Sequence, residues 1–380
     1  MEQIRTAGPE ECKALLAFTE RIFGSPEHPA DFAHMLPKIY RSPEKSAHHN
    51  LVLEEDGTIL GMLLRLSTRL VAEDRTLLVG HIGSVCVAPE YRGRGVMGRL
   101  LNRAIEDLRA EGCALIVLSG QRQRYERYGF IPTGVKTEFV MYEANVRGAS
   151  TDGYTLLPLE GPEALAGARR LFPQNGIYMQ RAEENFADTL ASWDAHPFML
   201  YQNGQPAGYC TMFYWQEGYS VLSELRLGNA EAFMPLCSLL FRQGHTALKI
   251  CLAPGAPEYA PAFLLCERYI IGPDHSIHIL RFSELTDALL RRKRAISPLP
   301  CGVFSMNIEG HGGLELYVGD GDAGARSCPG NSAQAELSCQ QAVHLLFSSV
   351  SAERNRLAAE YPFLAAWLPL PLYLEQNDCY

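Results

Sequence analysis

The sequence predicts a mixed α/β fold (α+β, with mixed sheets) divided over more than one domain. Three observations carry this reading. The chain has 380 residues, more than a single hydrophobic core ordinarily organises. Segments with apolar residues at helical spacing alternate with strand-like runs. Two turn pairs, Asp56-Gly57 and Asn203-Gly204, stand between such runs, which is hairpin chemistry. Hydrophobic residues make up 47% and charged residues 20%, a balance that fits a folded protein and not a disordered one. The formal net charge of -9 speaks against nucleic acid or an anionic membrane as the main partner. No run reaches the apolar length of a membrane span, and Met1–Arg5 leads into folded-looking sequence without a secretion signal. With 11 cysteines and no Cys-x-x-Cys spacing, buried reduced thiols in a cytoplasmic protein are expected, and no metal site.

The first region, residues 1–150, reads as follows. Pro9 to Phe23 carries Leu15, Leu16, Phe18 and Ile22 at helical spacing and stops at Gly24. Leu51 to Leu53 and Ile59 to Leu66 are strands about the Asp56-Gly57 turn, and Leu77 to Val87 is a longer one. A helix follows with Val96, Leu100, Leu101, Ala104, Ile105 and Leu108 on its apolar face, ended by Gly112. Cys113 to Leu118 is a short strand, Arg122 to Tyr128 a brief helix closed by Gly129, and Val135 to Tyr142 a last strand before a polar linker.

The second region, 151–282, repeats the first. Leu53, Gly57 and Gly61 have the spacing of Leu200, Gly204 and Gly208, and the element order recurs: strand Tyr219 to Leu227, helix Glu231 to Arg242, strand Ala247 to Leu252, helix Ala260 to Tyr269, strand Ser276 to Arg281. The glycine-rich turn is missing from this copy. The third region, 283–380, opens on a helix with Ser283 as N-cap and Arg291 to Arg294 at its end. Strands Val303 to Ile308, Leu314 to Val318 and Gln334 to Ser338 come next, then helices from Gln340 to Phe347 and Ala352 to Glu360, and an apolar tail ending in Asp378-Cys379-Tyr380.

The stretch that carries chemistry is Val85-Cys-Val-Ala-Pro-Glu-Tyr-Arg92-Gly93-Arg94-Gly95-Val96-Met97-Gly98. A strand runs into a turn and glycines open a helix. Unpaired amides at a helix N-terminus, aligned with its dipole, bind phosphate. Glycines let a pyrophosphate approach the backbone, and Arg92 and Arg94 add positive charge. Gly93-x-Gly95-x-x-Gly98 also matches the dinucleotide fingerprint. That reading needs the glycine turn directly off the strand and an acid about 20 residues on. Here Pro89 to Arg92 intervene and the next strand ends in Ser119-Gly120, so a dinucleotide-dependent oxidoreductase ranks behind.

Val-x-Val-x-Pro-x-Tyr-Arg-Gly-x-Gly resembles motif A of the GNAT acyltransferases, and Tyr125-Glu-Arg-Tyr128-Gly129-Phe130 resembles that family's Tyr-x-x-x-Gly-Phe motif, in the same order. The resemblance implies a GNAT fold with acetyl-CoA as co-substrate and an amine as acceptor. Val85 and Val87 would pair with the pantetheine arm, Arg92, Gly93, Arg94, Gly95 and Val96 would hold the pyrophosphate with Gly98 nearby, and Tyr125 would protonate the departing thiolate. His81, on the same strand face as Gly83, Val85 and Val87, is a candidate base for the amine. Over the whole chain, an intact copy, a degenerate copy and a C-terminal domain like the sterol carrier proteins resemble the enhanced-intracellular-survival (Eis) type of acetyltransferase. That layout implies a C-terminal carboxylate, here on Tyr380, as the base, and is compatible with a homo-oligomer. The acceptor stays open between small-molecule and peptide amines. A CoA- or lipid-binding carrier without catalysis is the alternative.

Overall fold

The computed structural model describes residues 2–214 and 218–380. In chain order its strands are β1 (Glu2–Thr6), β2 (Asn50–Glu55), β3 (Thr58–Ala72), β4 (Arg75–Val87), β5 (Leu115–Leu118), β6 (Ile131–Thr133), β7 (Lys136–Tyr142), β8 (Tyr154–Pro158), β9 (Ile177–Met179), β10 (His196–Gln202), β11 (Gln205–Tyr214), β12 (Ser220–Leu227), β13 (Ala247–Leu252), β14 (Arg268–Gly272), β15 (His275–Ile279), β16 (Gly302–Ile308), β17 (Gly312–Val318), β18 (Ala323–Cys328) and β19 (Ala335–Leu337). They form three mixed sheets among the described residues. The first runs β1-β2-β3-β4-β5-β15-β6 with β9 added on β3, the second β14-β7-β13-β12-β11-β10-β8, and the third β18-β17-β16-β19.

Three strands cross between the first two sheets: β9, from the second region, adds to β3 of the first, and two closing strands change places. β7, expected to close the first region, lies between β13 and β14 in the second sheet. β15, expected to close the second, lies between β5 and β6 in the first. The points 150 and 282 therefore divide the chain but not the sheets. Each crossing strand alternates suitably for either site, and pairing partners so distant in sequence leave no local mark.

Alternation along the strands sets the layers. Ile116 and Leu118 of β5 pack with Leu100, Leu101, Ala104 and Leu108 of the helix Val96–Ala110. Leu115 and Val117, pointing the other way, join a core with the helix Phe282–Ile296 and the inner face of the third sheet. The second sheet buries Phe139, Leu222, Leu248 and Ile250 against the helix Phe233–Arg242. No helix among the described residues is long and apolar enough to cross a membrane.

The two hairpins share their register. Leu53 opposes Gly61 and Leu200 opposes Gly208, each with a bulge at the next residue. Asp56 and Gly57 have φ of 48° and 81°, Asn203 and Gly204 of 51° and 78°, the left-handed pair that a two-residue turn needs.

Several local expectations shift. The helix expected to reach Tyr269 is Tyr259–Leu265, because Tyr269, Ile270 and Ile271 pair with β7 instead. β-branched and aromatic residues favour that outcome. Ser283 is not a cap: the helix begins at Phe282, after Arg281, with no side-chain cap bond. β18 was not foreseen, since Ala323-Gly-Ala-Arg-Ser-Cys328 shows no apolar alternation. The basic run at the end of the Phe282–Ile296 helix is structural: Arg291 pairs with Asp287 and Asp322, and Arg292 with Glu73.

Candidate active site

β4 and β5 run parallel only from Val79↔Leu115 to Ile82↔Leu118. Beyond Ile82, β4 continues alone to Val87, leaving an edge of backbone groups free on that side. A bulge marks the parting. The register with β3 shifts between Met62 and Leu64, and Ser84 takes φ of 48°, a conformation that a non-glycine residue adopts at some cost. Ser84 Oγ lies 2.8 Å from Tyr40 Oη, which braces it.

A cavity of about 790 Å³ opens along this free edge, lined by Val85, Cys86, Val87, Arg92, Gly93, Gly95, Val96, Met97 and Gly98, with Arg124 and Arg127 across from them. The turn places Gly93 at φ +81° and Gly95 at φ +75°, and a Cβ at either would meet nothing within 4 Å. These glycines serve backbone conformation and access rather than close packing. Among the described residues, no backbone carbonyl accepts from the amides of Gly93, Gly95, Val96, Met97 or Gly98, and no side chain caps the helix at Gly95. Open donors facing a cavity suit an anion. Arg92 is exposed at the cavity wall, whereas Arg94 turns to Glu55, 3.1 Å away. Gly98 meets a different need: a Cβ there would stand 2.6 Å from the Tyr128 hydroxyl, so it lets the second motif pack on the first. His278 of β15 donates from Nδ1 to the Tyr128 carbonyl, 2.8 Å away, so the crossed-over strand braces the motif.

Tyr125 ends the short helix Arg122–Tyr125 and is buried, packed on Gly120 and Phe130. Its hydroxyl makes no hydrogen bond among the described residues. Burial raises its pKa, with Arg124 opposing and Cys86 adding to the rise, so it stays protonated at neutral pH.

The tail reaches the same point from the other side. A Cβ on Gly83 would lie 2.7 Å from both the carbonyl carbon and oxygen of Tyr380, so Tyr380's main-chain carboxyl sits against β4 where β5 leaves it. Tyr380's ring stands edge-on over His81 at 4.8 Å and beneath the Lys38 ammonium at 3.8 Å. Lys38, fully buried, donates to the carbonyls of Asn377 at 2.5 Å and Cys379 at 2.6 Å, and Trp193 Nε1 donates to Cys379 at 3.1 Å. His81 bonds Thr68 at 2.7 Å. Its pKa is pulled down to about 3, by burial first and then by Lys38 and His275, which makes it a poor proton acceptor.

Sequence reasoning missed Ser84, Tyr40, Lys38 and Trp193, and it set Gly83 and His81 on one face with Val85 and Val87, whereas the bulge at Ser84 turns those two valines to the side of Ile82. The four missed residues left no trace; Gly83 did, as a glycine inside a strand.

A family model described as an acetyltransferase (GNAT) domain matches residues 3–133. An uncharacterized N-acetyltransferase of Escherichia coli (strain K12), YjhQ, is 34% identical over 83 residues, which is 22% of this chain and 46% of the relative. The chain thus spans about half the length of the curated relative it matches. Three solved structures align over 100% of both chains: a conserved protein of Enterococcus faecalis V583 named a probable N-acyltransferase (TM-score 0.71, 16% identity), a GCN5-related N-acetyltransferase from Kribbella flavida (0.67, 16%), and Eis1 from Mycobacterium abscessus (0.66, 13%). At these identities the likeness is one of fold, and it extends over all three sheets.

Proposed function

We propose, from the GNAT acetyltransferase domain that residues 3–133 carry, that this chain transfers an acetyl group from acetyl-CoA to an amine. The observation that carries the reading is the open turn Arg92–Gly98, whose free amides face the cavity beside the parted strand. The pyrophosphate lies on that turn with Arg92 beside it, and the pantetheine arm follows the Val85–Val87 edge. Both substrates are held at the parting of β4 and β5, and holding them lowers the barrier by several kcal/mol.

The amine nitrogen attacks the thioester carbonyl. A carbon–nitrogen bond forms and the carbon–sulfur bond breaks. The amine's proton passes to a base, and Tyr125 gives its hydroxyl proton to the leaving sulfur. The Tyr380 carboxyl, lying against Gly83, is the proposed base; His81, held neutral beneath it, is not. The third region, which resembles a sterol carrier protein in sequence layout, is proposed as a scaffold. Its sheet closes the back of the first one and delivers the tail.

Tyr125→Phe tests the chemistry. We expect kcat to fall about 100-fold with acetyl-CoA affinity unchanged. Undiminished turnover removes Tyr125 from the mechanism. Adding one glycine after Tyr380 displaces the carboxyl; kcat should again fall with acetyl-CoA binding intact, and full activity would assign the base elsewhere.

A further inference from the structure

A second cleft, of about 920 Å³, opens at Tyr380 on the far side of the parted strand. Residues 37–49 form one wall, Leu66 to Arg69 of β3 the floor, and residues 179–189 the other wall. Tyr380, which lines it, has its carboxyl against Gly83, two residues before Val85 of the acetyl-CoA cavity, so it is where an acceptor enters under the reading above, on which this inference rests.

The cleft's charged groups fall into two classes. Some are committed: Arg41 holds Asp188 at 2.5 Å, Arg181 holds Asp378 at 2.7 Å and Glu224 at 2.6 Å, and Lys38 is spent on the tail carbonyls. Others are not. Lys45 and Arg69 are exposed and make no ion pair or side-chain hydrogen bond among the described residues. Glu184 is the counterpart on the opposite wall, exposed and likewise uncommitted. His49 adds no charge at neutral pH, because burial first, then His48 and Arg65, pull its pKa down to about 4.

A polycationic acceptor finds most carboxylates here already neutralised and two cations facing it, which disfavours it. An anionic group finds two donors it can bind without breaking any existing pair. Arg69 sits on a rigid strand paired with Leu78, and a guanidinium fork held that way suits a carboxylate or a phosphate. We propose that the acceptor is an amine that also carries an anionic group, a carboxylate or a phosphate. Lys45 and Arg69 hold the anion while the amine reaches Tyr380.

Matched probes test this by calorimetry on the full chain loaded with CoA. Glucosamine 6-phosphate is compared with glucosamine, glycylglycine with its amide, and spermidine serves as the polycation. We expect at least one anionic member to bind tenfold or more tightly than its partner, and the responding pair tells phosphate from carboxylate. A Lys45→Gln, Arg69→Gln double variant, altered only at exposed positions, should lose that preference and keep its acetyl-CoA affinity. Failure of both anionic probes to bind, tighter binding of spermidine, or an unchanged double variant would each overturn the proposal. CoA release from acetyl-CoA in the same mixtures separates the two readings. Anion-dependent binding without acetyl transfer rejects the transferase reading alone, and transfer to spermidine alone rejects the anionic acceptor alone.

Discussion

The first two sheets share a register and part company at the turn that follows it. Leu66 opposes His81 as Phe213 opposes Val221, and Gly61 opposes Val87 as Gly208 opposes Leu227. The Ala88 amide bonds the Leu60 carbonyl, and the Gly228 amide bonds that of Ala207. Both long strands outrun their parallel neighbour. Then they diverge. Residues 89–95 lead to the helix at Val96, whereas only residues 229–232 lead to the helix at Phe233. In the longer turn the Tyr91, Arg92 and Arg94 amides bond carbonyls within the turn, but those of Gly93 and Gly95, and of Val96 to Gly98 just beyond, meet no carbonyl among the described residues. In the shorter one Asn229 accepts from Ala232 at 3.0 Å, and Glu258 accepts from the Leu227 amide at 2.7 Å, the position matching Val87. The second copy satisfies within the chain what the first leaves open, at the turn proposed above to hold the ligand.

The interior of the parted strands differs in the same sense. Where the first copy has Gly83 and Cys86, the second has Ser223 and Arg226. Arg226 pairs with Glu375 of the tail at 2.7 Å, Arg181 ties Glu224 to Asp378, and the Ser223 hydroxyl donates to Asn377 at 2.8 Å. The second sheet grips the tail, and the tail ends at the first sheet's site. On the function proposed above, one copy binds and reacts and the other aims.

Several substitutions would break or sharpen this contrast. The largest expected effect is on the grip. Arg226→Met leaves Glu375 buried without its partner and should cost about 3–5 kcal/mol of stability by urea unfolding, with acetyl-CoA affinity unchanged in the folded protein. A loss below 1 kcal/mol would mean the network does not hold the tail. Next comes the second copy's capped turn: Asn229→Ala should cost about 1 kcal/mol and leave acetyl-CoA binding untouched, whereas weakened binding would give the second turn a ligand role. The smallest effect is a pH dependence at Lys38. Burial lowers its pKa from 10.5 to about 7, against the pull of Asp378 and Cys379. Between those values the unfolded chain binds more protons than the folded one, so stability rises with pH. Relative to Lys38→Met, the wild type should gain stability from pH 7 towards 10.5 and show no relative change below 7. A flat difference across that window would place Lys38 in a wetter setting than its contacts imply.

Much of the first copy was legible because its chemistry is local. The turn Arg92–Gly98 announces itself by glycines at a strand-to-helix junction, and Tyr125 by its place before Gly129-Phe130. The Asn203-Gly204 turn exposed the second copy for the same reason. What stayed hidden depends on distance along the chain. The exchange of β7 and β15 is invisible, since either strand's alternation suits either sheet. The grip on the tail joins Arg181, Glu224, Arg226 and Glu375 across nearly 200 residues. Its one local sign was a pair of charges, Glu224 and Arg226, inside the strand-like run Tyr219 to Leu227, where unpaired charge is costly. β18 lacked a legible pattern because the residues it sets in the core, Ala323 and Ala325, are small, while Gly324 packs on Asp287 and Tyr317.

The claim at the centre is that one copy binds acetyl-CoA and the other only positions. A calorimetric titration of the full chain with acetyl-CoA measures it directly. The account predicts one molecule bound per chain, and none in Gly95→Val, where a branched side chain would have to enter a left-handed turn and stand over the free amides. Two molecules per chain, or binding that survives Gly95→Val in folded protein, would contradict it.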